Sequence, residues 1–253
     1  MILLHRITPF FVALAAGLGF VAMLTLARPL VSAVLALAVV AVLLSRLLSW
    51  QVKSLRFWNL FGTPFLFLAS SYGFLLLLET QAYQVAIAVL SSLLVFFFLE
   101  HVFHYTHLPA NYQPYSIEHL SSVLHLITIF FVSALGFASS ILLQSPLLLL
   151  SGIFFVISVL VLYGTLWTSK VEHGRALPYA LAGSVLTTEI FSVITFLPTG
   201  MYTNAAILVT FLYLFIGLTR AHFLDSLTRP VLRRYVAIGS VLMAAIAGTA
   251  QWA

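Results

Sequence analysis

The chain lacks cysteine altogether and carries few charged residues. Without cysteine it can form no disulfide and can offer no thiolate as metal ligand or nucleophile. Charged residues occupy 7% of its 253 positions and hydrophobic residues 62%, whereas a soluble domain carries roughly 25% charged residues. Such a chain has too little polar surface for a soluble enzyme or a soluble binding domain. Glycine-rich phosphate loops and nucleophile-elbow motifs are absent as well.

Long apolar runs take the place of the missing charges. A membrane-spanning helix needs about 20 apolar residues to cross a hydrocarbon core of about 30 Å. The longest runs, such as LLVFFFL, do not alternate as the strands of a barrel would. We therefore predict an all-α, polytopic transmembrane helical bundle. Its nine predicted spans lie near residues 7–27, 30–46, 58–78, 82–103, 117–142, 146–168, 177–197, 203–220 and 235–252.

The positions of the eleven lysines and arginines predict the orientation of these spans. With nine spans, only Arg28 falls on one side of the membrane and all other cations fall on the opposite side. Since cytoplasmic loops carry the excess of cations, the N-terminus is predicted to be cytoplasmic and the C-terminus outside. The formal net charge of +5 is thus a sign of topology, and we expect no nucleic-acid partner.

The spacing of the spans predicts one integral membrane domain over residues 1–253. The first span is predicted to be a retained signal-anchor helix, because its apolar run exceeds that of a cleaved signal peptide. The other eight spans form four successive helical hairpins, each joined on the cytoplasmic side. We expect the chain to be integral to the cytoplasmic (plasma) membrane and to contact the lipid bilayer.

The segment from Glu100 to His125 holds five of the eight histidines and two of the six acids. On a helix, Glu100, His104 and His107 recur at i, i+4 and i+7 and therefore share one face. Folding the next helix back about the turn at 108–115 would bring His125 level with Glu100. The spacing favours a cluster of carboxylates and imidazoles between two neighbouring helices.

Such a cluster is one way to build a metal site within a helical bundle. Because Glu100 and His107 lie about 10 Å apart along a helix, one metal cannot bind both. The predicted ligand set is Glu100, His104 and His125, which suits Zn, Fe or Mn in the absence of cysteine. The alternative interpretation is a polar turn at headgroup depth, where histidine and tyrosine are simply hydrogen-bonded. A proton relay or a docking surface for another subunit are further alternatives.

Glu189 is the one acid near the middle of a predicted span. A charged side chain at that depth is unfavourable by several kcal/mol, so Glu189 is expected to face protein. It is either a proton, cation or substrate site, or a buried neutral carboxyl that holds helices together.

Three functions of different classes follow. We favour a non-catalytic component that works through helix contacts with itself, as a homo-oligomer, or with other membrane subunits. The second is a metal-dependent enzyme embedded in the membrane, acting on a lipid or other apolar substrate through Glu100, His104 and His125. The third is a small proton- or cation-coupled carrier that uses Glu189.

Overall fold

A computed structural model of the chain describes residues 2–250 and, within them, the side chains of all but residues 2–4 and 111. Nine α-helices and one short 3-10 helix make up the described part, which contains no strand. The α-helices are α1 (Ile2–Thr25), α2 (Pro29–Leu47), α3 (Leu55–Leu75), α4 (Gln81–His107), α5 (Ser116–Leu142), α6 (Leu147–Thr168), α7 (His173–Ile194), α8 (Met201–Phe223) and α9 (Arg229–Thr249). The predicted all-α fold is confirmed.

Local sequence signals set several of the helix ends. Proline stands in the first turn of α2 and of α9, where its missing N–H has no helical partner to lose. Ser54 precedes α3 and its hydroxyl accepts a hydrogen bond from the backbone N–H of Arg56 at 3.2 Å. Pro109 follows the end of α4 and keeps the helix from continuing.

Eight of the nine helices in the described residues are long and apolar enough to cross a membrane. The chain is therefore a multi-pass membrane protein. The exception is α3, which is 21 residues long but carries Arg56, Asn59 and three hydroxyl side chains before Tyr72. More than half of its residues are buried against protein, including Ser70 and Ser71. Low hydropathy in α3 thus goes together with burial inside the bundle.

The chain divides into two compact units, and the first runs from Met1 to Leu124. Within it, α1 packs on α2 and α4, and α3 packs on the same two helices. The hydroxyl of Tyr72, 1% exposed, donates to the carbonyl oxygen of Ala16 at 2.9 Å and so ties α3 to α1. A Cβ atom at Gly19 would lie 2.5 Å from the Cβ of Ala36, so this glycine permits the close approach of α1 and α2.

The second unit runs from His125 to Ala253. Three phenylalanines form its aromatic core: Phe191 of α7 stacks on Phe137 of α5 and on Phe154 of α6, with ring centroids 4.7 and 4.6 Å apart. α6 packs on α7, and α8 packs on α7 and α9. In α9, by contrast, Gly239 is the one buried residue.

Three of the four predicted hairpins pack directly, namely α2 with α3, α6 with α7, and α8 with α9. The fourth, α4 with α5, crosses the division between the two units. The assignment of residues 1–253 to one domain stays a prediction.

Candidate functional site

The C-terminal end of α4 carries the predicted carboxylate–imidazole pair. Nε2 of His104 lies 3.3 Å from Oε1 of Glu100, and the two side chains are 30% and 34% exposed. The predicted span ends at 103, but the helix continues to His107. Glu100 and His104 are therefore both helical, and their i, i+4 spacing places the two side chains next to each other.

His107 turns toward a different helix. Its ring stacks on that of His5 in α1, with centroids 4.7 Å apart and an interplanar angle of 24°. Phe103 stacks on it 5.2 Å away, and the hydroxyl of Thr106 lies 2.7 Å from Nδ1 of His107. Sequence reasoning did not find His5, because nothing in its own neighbourhood distinguishes it; the pairing arises where α1 packs on α4.

A polar pocket of about 180 Å³ lies next to this histidine stack. We call it the Arg56 pocket. It is lined by Leu47, Leu48, Ser49, Gln51, Arg56, Phe57, Leu60, Thr106 and His107. The guanidinium carbon of Arg56 lies 4.5 Å from the ring centroid of Tyr105, within the range of a cation–π interaction. This contact with α4 orients the side chain that begins α3.

The start of α5 has its own hydrogen-bonded pair. The phenol of Tyr112 donates to Oε2 of Glu118 at 3.1 Å and accepts from the backbone N–H of Ile117 at 3.4 Å. Burial, with a smaller contribution from the Glu118 carboxyl, raises the pKa of Tyr112 to about 12. Glu118 itself is only 5% exposed. Tyr112 therefore stays a hydrogen-bond donor to a buried carboxyl at any physiological pH.

His125 lies further along α5, in the second unit, and is 2% exposed. Its Nδ1 is 2.7 Å from the hydroxyl oxygen of Thr165 in α6. Since that hydroxyl donates its proton to the carbonyl of Val161 at 2.8 Å, the ring must donate from Nδ1. The hydrogen bond fixes both the tautomer and the orientation of His125.

Glu189 is exposed on α7, contrary to the expectation that it would face protein. Because α7 ends at Ile194, Glu189 lies roughly 8 Å from the helix midpoint at 1.5 Å per residue. It borders an apolar groove of about 560 Å³ between α7, α8 and α9. The groove is lined also by Ile190, Val193, Ile194, Leu197, Thr203, Ile207, Phe211, Met243, Ala247 and Ala250.

Comparison with known proteins identifies the family. The model of one family, described as protein of unknown function (DUF5656), matches residues 30–249. The chain belongs to the DUF5656 family. The DUF5656 match runs from the start of α2 to the end of α9, so it includes every candidate residue above except His5 and Ala250. No curated protein and no solved structure matches the chain.

In this DUF5656 protein, two of the three predicted metal ligands are neighbours. Glu100 and His104 are paired in the first unit, and His125 belongs to the second unit, where it bonds Thr165. Among the described residues, no group of three or more histidines and acids is arranged to hold a metal ion. The metal site stays a prediction. The two pockets described, the Arg56 pocket and the groove at Glu189, each lie within one unit.

Proposed function

We propose that this DUF5656 protein is a non-catalytic component of a membrane assembly, and that it binds a partner helix in the groove beside Glu189. The observation that supports this most is a carboxyl on the apolar surface of a predicted span. Within the described residues, Glu189 has neither a hydrogen bond nor an ion pair, and Thr203 is the one other side chain lining the groove that carries a hydroxyl.

The energetics of an acid at this depth favour a partner from outside the chain. On insertion scales, a charged side chain at the centre of a membrane helix costs about 2.5–3.5 kcal/mol of insertion free energy. Glu189 lies roughly 8 Å from the centre of α7. A hydrogen-bond donor on a second helix would offset part of this penalty. No lysine or arginine borders the groove, so the chain does not supply that donor as a cation.

The helix α9 contributes one wall of the groove and also carries exposed small residues outside it. Met243 and Ala247 of α9 form one wall of the groove. Ser240, Ala244 and Gly248, spaced four residues apart, are exposed on this helix. A Cβ atom at Gly248 would meet nothing within 4 Å. Small side chains in open space let the backbone of another helix come close.

Site-specific photo-crosslinking in native membranes tests the proposal. A photoreactive residue at Val193, 67% exposed and lining the groove, should join the chain to a protein partner. Leu148 is the matched control: it is 87% exposed, lies one residue inside its helix end as Val193 does, and is not part of the groove.

We expect a protein adduct from Val193 and only lipid adducts from Leu148. Glu189→Leu should reduce the Val193 adduct several-fold, whereas Glu189→Gln, which can still hydrogen-bond, should retain most of it. An adduct of twice the chain mass would identify a second copy as the partner. Lipid adducts alone at both positions would contradict the proposal.

The exposure of Glu189 also favours a second candidate, a proton- or cation-coupled carrier. A carboxyl that borders an open groove can exchange a proton, whereas Gln in its place cannot. In liposomes, a carrier would show pH-dependent flux that Glu189→Gln abolishes. For a component that acts only through helix contacts, the wild type and the variant should both be silent in this assay.

A further inference from the structure

We propose that the Arg56 pocket binds a phosphate group, as carried by the headgroup of an anionic phospholipid or by free phosphate. The pocket lies in the first unit and has no part in the groove at Glu189, so this proposal is independent of the proposed function. It forms where α2 ends at Leu47, α3 begins at Leu55 and α4 ends at His107.

The charges around the pocket favour an anion. Arg46, Lys53 and Arg56 lie within eleven residues that contain no acid. In the described part of the chain, no carboxylate pairs with Arg56; its side chain is instead held against the ring of Tyr105. A guanidinium positioned in this way presents a planar fork of N–H donors that matches the oxygens of a phosphate.

Neutral donors surround the guanidinium. Ser49, Gln51, Thr106 and His107 border the same space as Arg56. The hydroxyl of Thr106 already donates to the carbonyl of Val102 at 2.8 Å, so the neutral donors left for a ligand are the side chains of Ser49 and Gln51. α3 has no acid in its first turn, so the partial positive charge of the helix N-terminus is not offset there. The carbonyls at the end of α2 would repel an anion, but Ser49 and Trp50 adopt φ of 54°. Their N–H groups bond to the carbonyls of Arg46 and Ser45.

The size of the pocket limits the ligand. Its 180 Å³ is below the roughly 300–1,000 Å³ of pockets that enclose drug-sized ligands. A nucleotide or a whole lipid does not fit, whereas a tetrahedral phosphate group does. The pocket can therefore enclose a phosphate group but not the remainder of a lipid or nucleotide.

The remaining surroundings match the position of a lipid headgroup. Leu47, Phe57 and Leu60, all buried, form the apolar side of the pocket. Trp50 and Trp58 lie close in sequence and are 58% and 55% exposed, as is typical of tryptophans at a membrane interface. If the bound phosphate belongs to a phospholipid, the glycerol backbone attached to it would lie next to these apolar side chains.

Native mass spectrometry of the full chain in detergent tests the proposal. The protein is titrated with a short-chain phosphatidylglycerol, with and without inorganic phosphate as competitor. Arg56→Gln should weaken lipid binding at least tenfold. Arg46→Gln is the matched control, since it removes the same charge from the same segment but lies outside the pocket; we expect less than a twofold effect. Gln51→Leu, which keeps the size of the side chain but removes its amide, should weaken binding a few-fold.

Competition distinguishes the two sources of phosphate. Displacement of the lipid by millimolar inorganic phosphate would show that the group alone is sufficient, and its absence would show that the lipid is the ligand. Equal losses in Arg56→Gln and Arg46→Gln would mean general surface attraction and would overturn the proposal. Unchanged binding in both Arg56→Gln and Gln51→Leu would also overturn it. Thermal melting of each variant confirms that the fold is retained.

Discussion

Replacing Thr165 with valine should destabilise the protein through His125. The hydroxyl of Thr165 is the acceptor for Nδ1 of His125 at 2.7 Å, between helices α5 and α6. Valine keeps the size and branching of the side chain but removes that acceptor. The ring of His125 is 2% exposed, so water cannot replace the lost contact at Nδ1.

Two magnitudes bear on the expected loss. Leaving a buried donor without a partner costs about 1–3 kcal/mol in soluble proteins. Hydrogen bonds between membrane helices average about 0.6 kcal/mol and reach about 1.7 kcal/mol, because the unfolded chain in the membrane also finds partners. The His125 ring is a buried donor that lies between two membrane helices, so both values bear on it. The smaller membrane value limits the expected loss of stability. We expect Thr165→Val to lower the free energy of unfolding by about 1 kcal/mol, roughly a fivefold change in the unfolding equilibrium.

Thr168→Val is the matched control for this measurement. Thr168 is 6% exposed on the same helix, and its hydroxyl donates only to the backbone carbonyl of Thr165, at 2.9 Å. Its replacement leaves no side-chain donor without a partner. Equilibrium unfolding in mixed micelles, with SDS as denaturant, measures both variants. Equal stability of the two variants would refute the reasoning and would show that the contact between His125 and Thr165 adds nothing.

Three further predictions concern the metal site, the Tyr112 contact and the topology. If the predicted metal site exists, purified protein carries near-stoichiometric Zn, Fe or Mn by elemental analysis. His104→Ala should remove the metal with little loss of folded yield, because that side chain is 30% exposed. A stable metal-free protein would contradict the predicted site. Tyr112→Phe should lower the free energy of unfolding by about 1–2 kcal/mol at neutral pH, since it removes a hydrogen bond to the carboxyl of Glu118. The folded-state pKa of Tyr112 is raised to about 12 from about 10 in the unfolded chain. The contribution of this phenol to stability is therefore complete below pH 10 and is lost as the pH rises toward 12. A variant as stable as wild type at pH 7 would show that the hydrogen bond is not needed. A reporter active only in the cytoplasm should work at the N-terminus and fail at the C-terminus, and activity at both ends would indicate an even number of crossings.

Composition and hydropathy were enough to predict the helical fold. Runs of about 20 apolar residues can satisfy their backbone in lipid only as helices, so the number of helices followed from the number of runs. The ends were less predictable, because the amphipathic turns of α4 and α9 continue as helix into polar sequence. Histidines and arginines at 104, 107, 229, 233 and 234 are helical for this reason.

The candidate sites divide by the range of their contacts. The pair of Glu100 and His104 depends only on helix periodicity, and the sequence predicted it. The stack of His5 on His107, and the position of Arg56 over Tyr105, depend on which helices pack together. No local pattern encodes that choice. Glu189 was expected to face protein because charge is unfavourable in lipid; its exposure in this chain is the departure that motivates a partner.

The low hydropathy of α3 affects how the chain enters a membrane. A segment with Arg56, Asn59 and Ser71 gains little from transfer into hydrocarbon, although its hydroxyls bond within the helix, as that of Ser71 does to the carbonyl of Phe67 at 2.7 Å. α3 is buried against α2 and α4, and we expect this burial to offset the unfavourable transfer of its polar residues. During synthesis α2 precedes α3, but α4 emerges only afterwards. We therefore expect the integration of α3 to depend on its neighbours and to be completed only after α4 has been made.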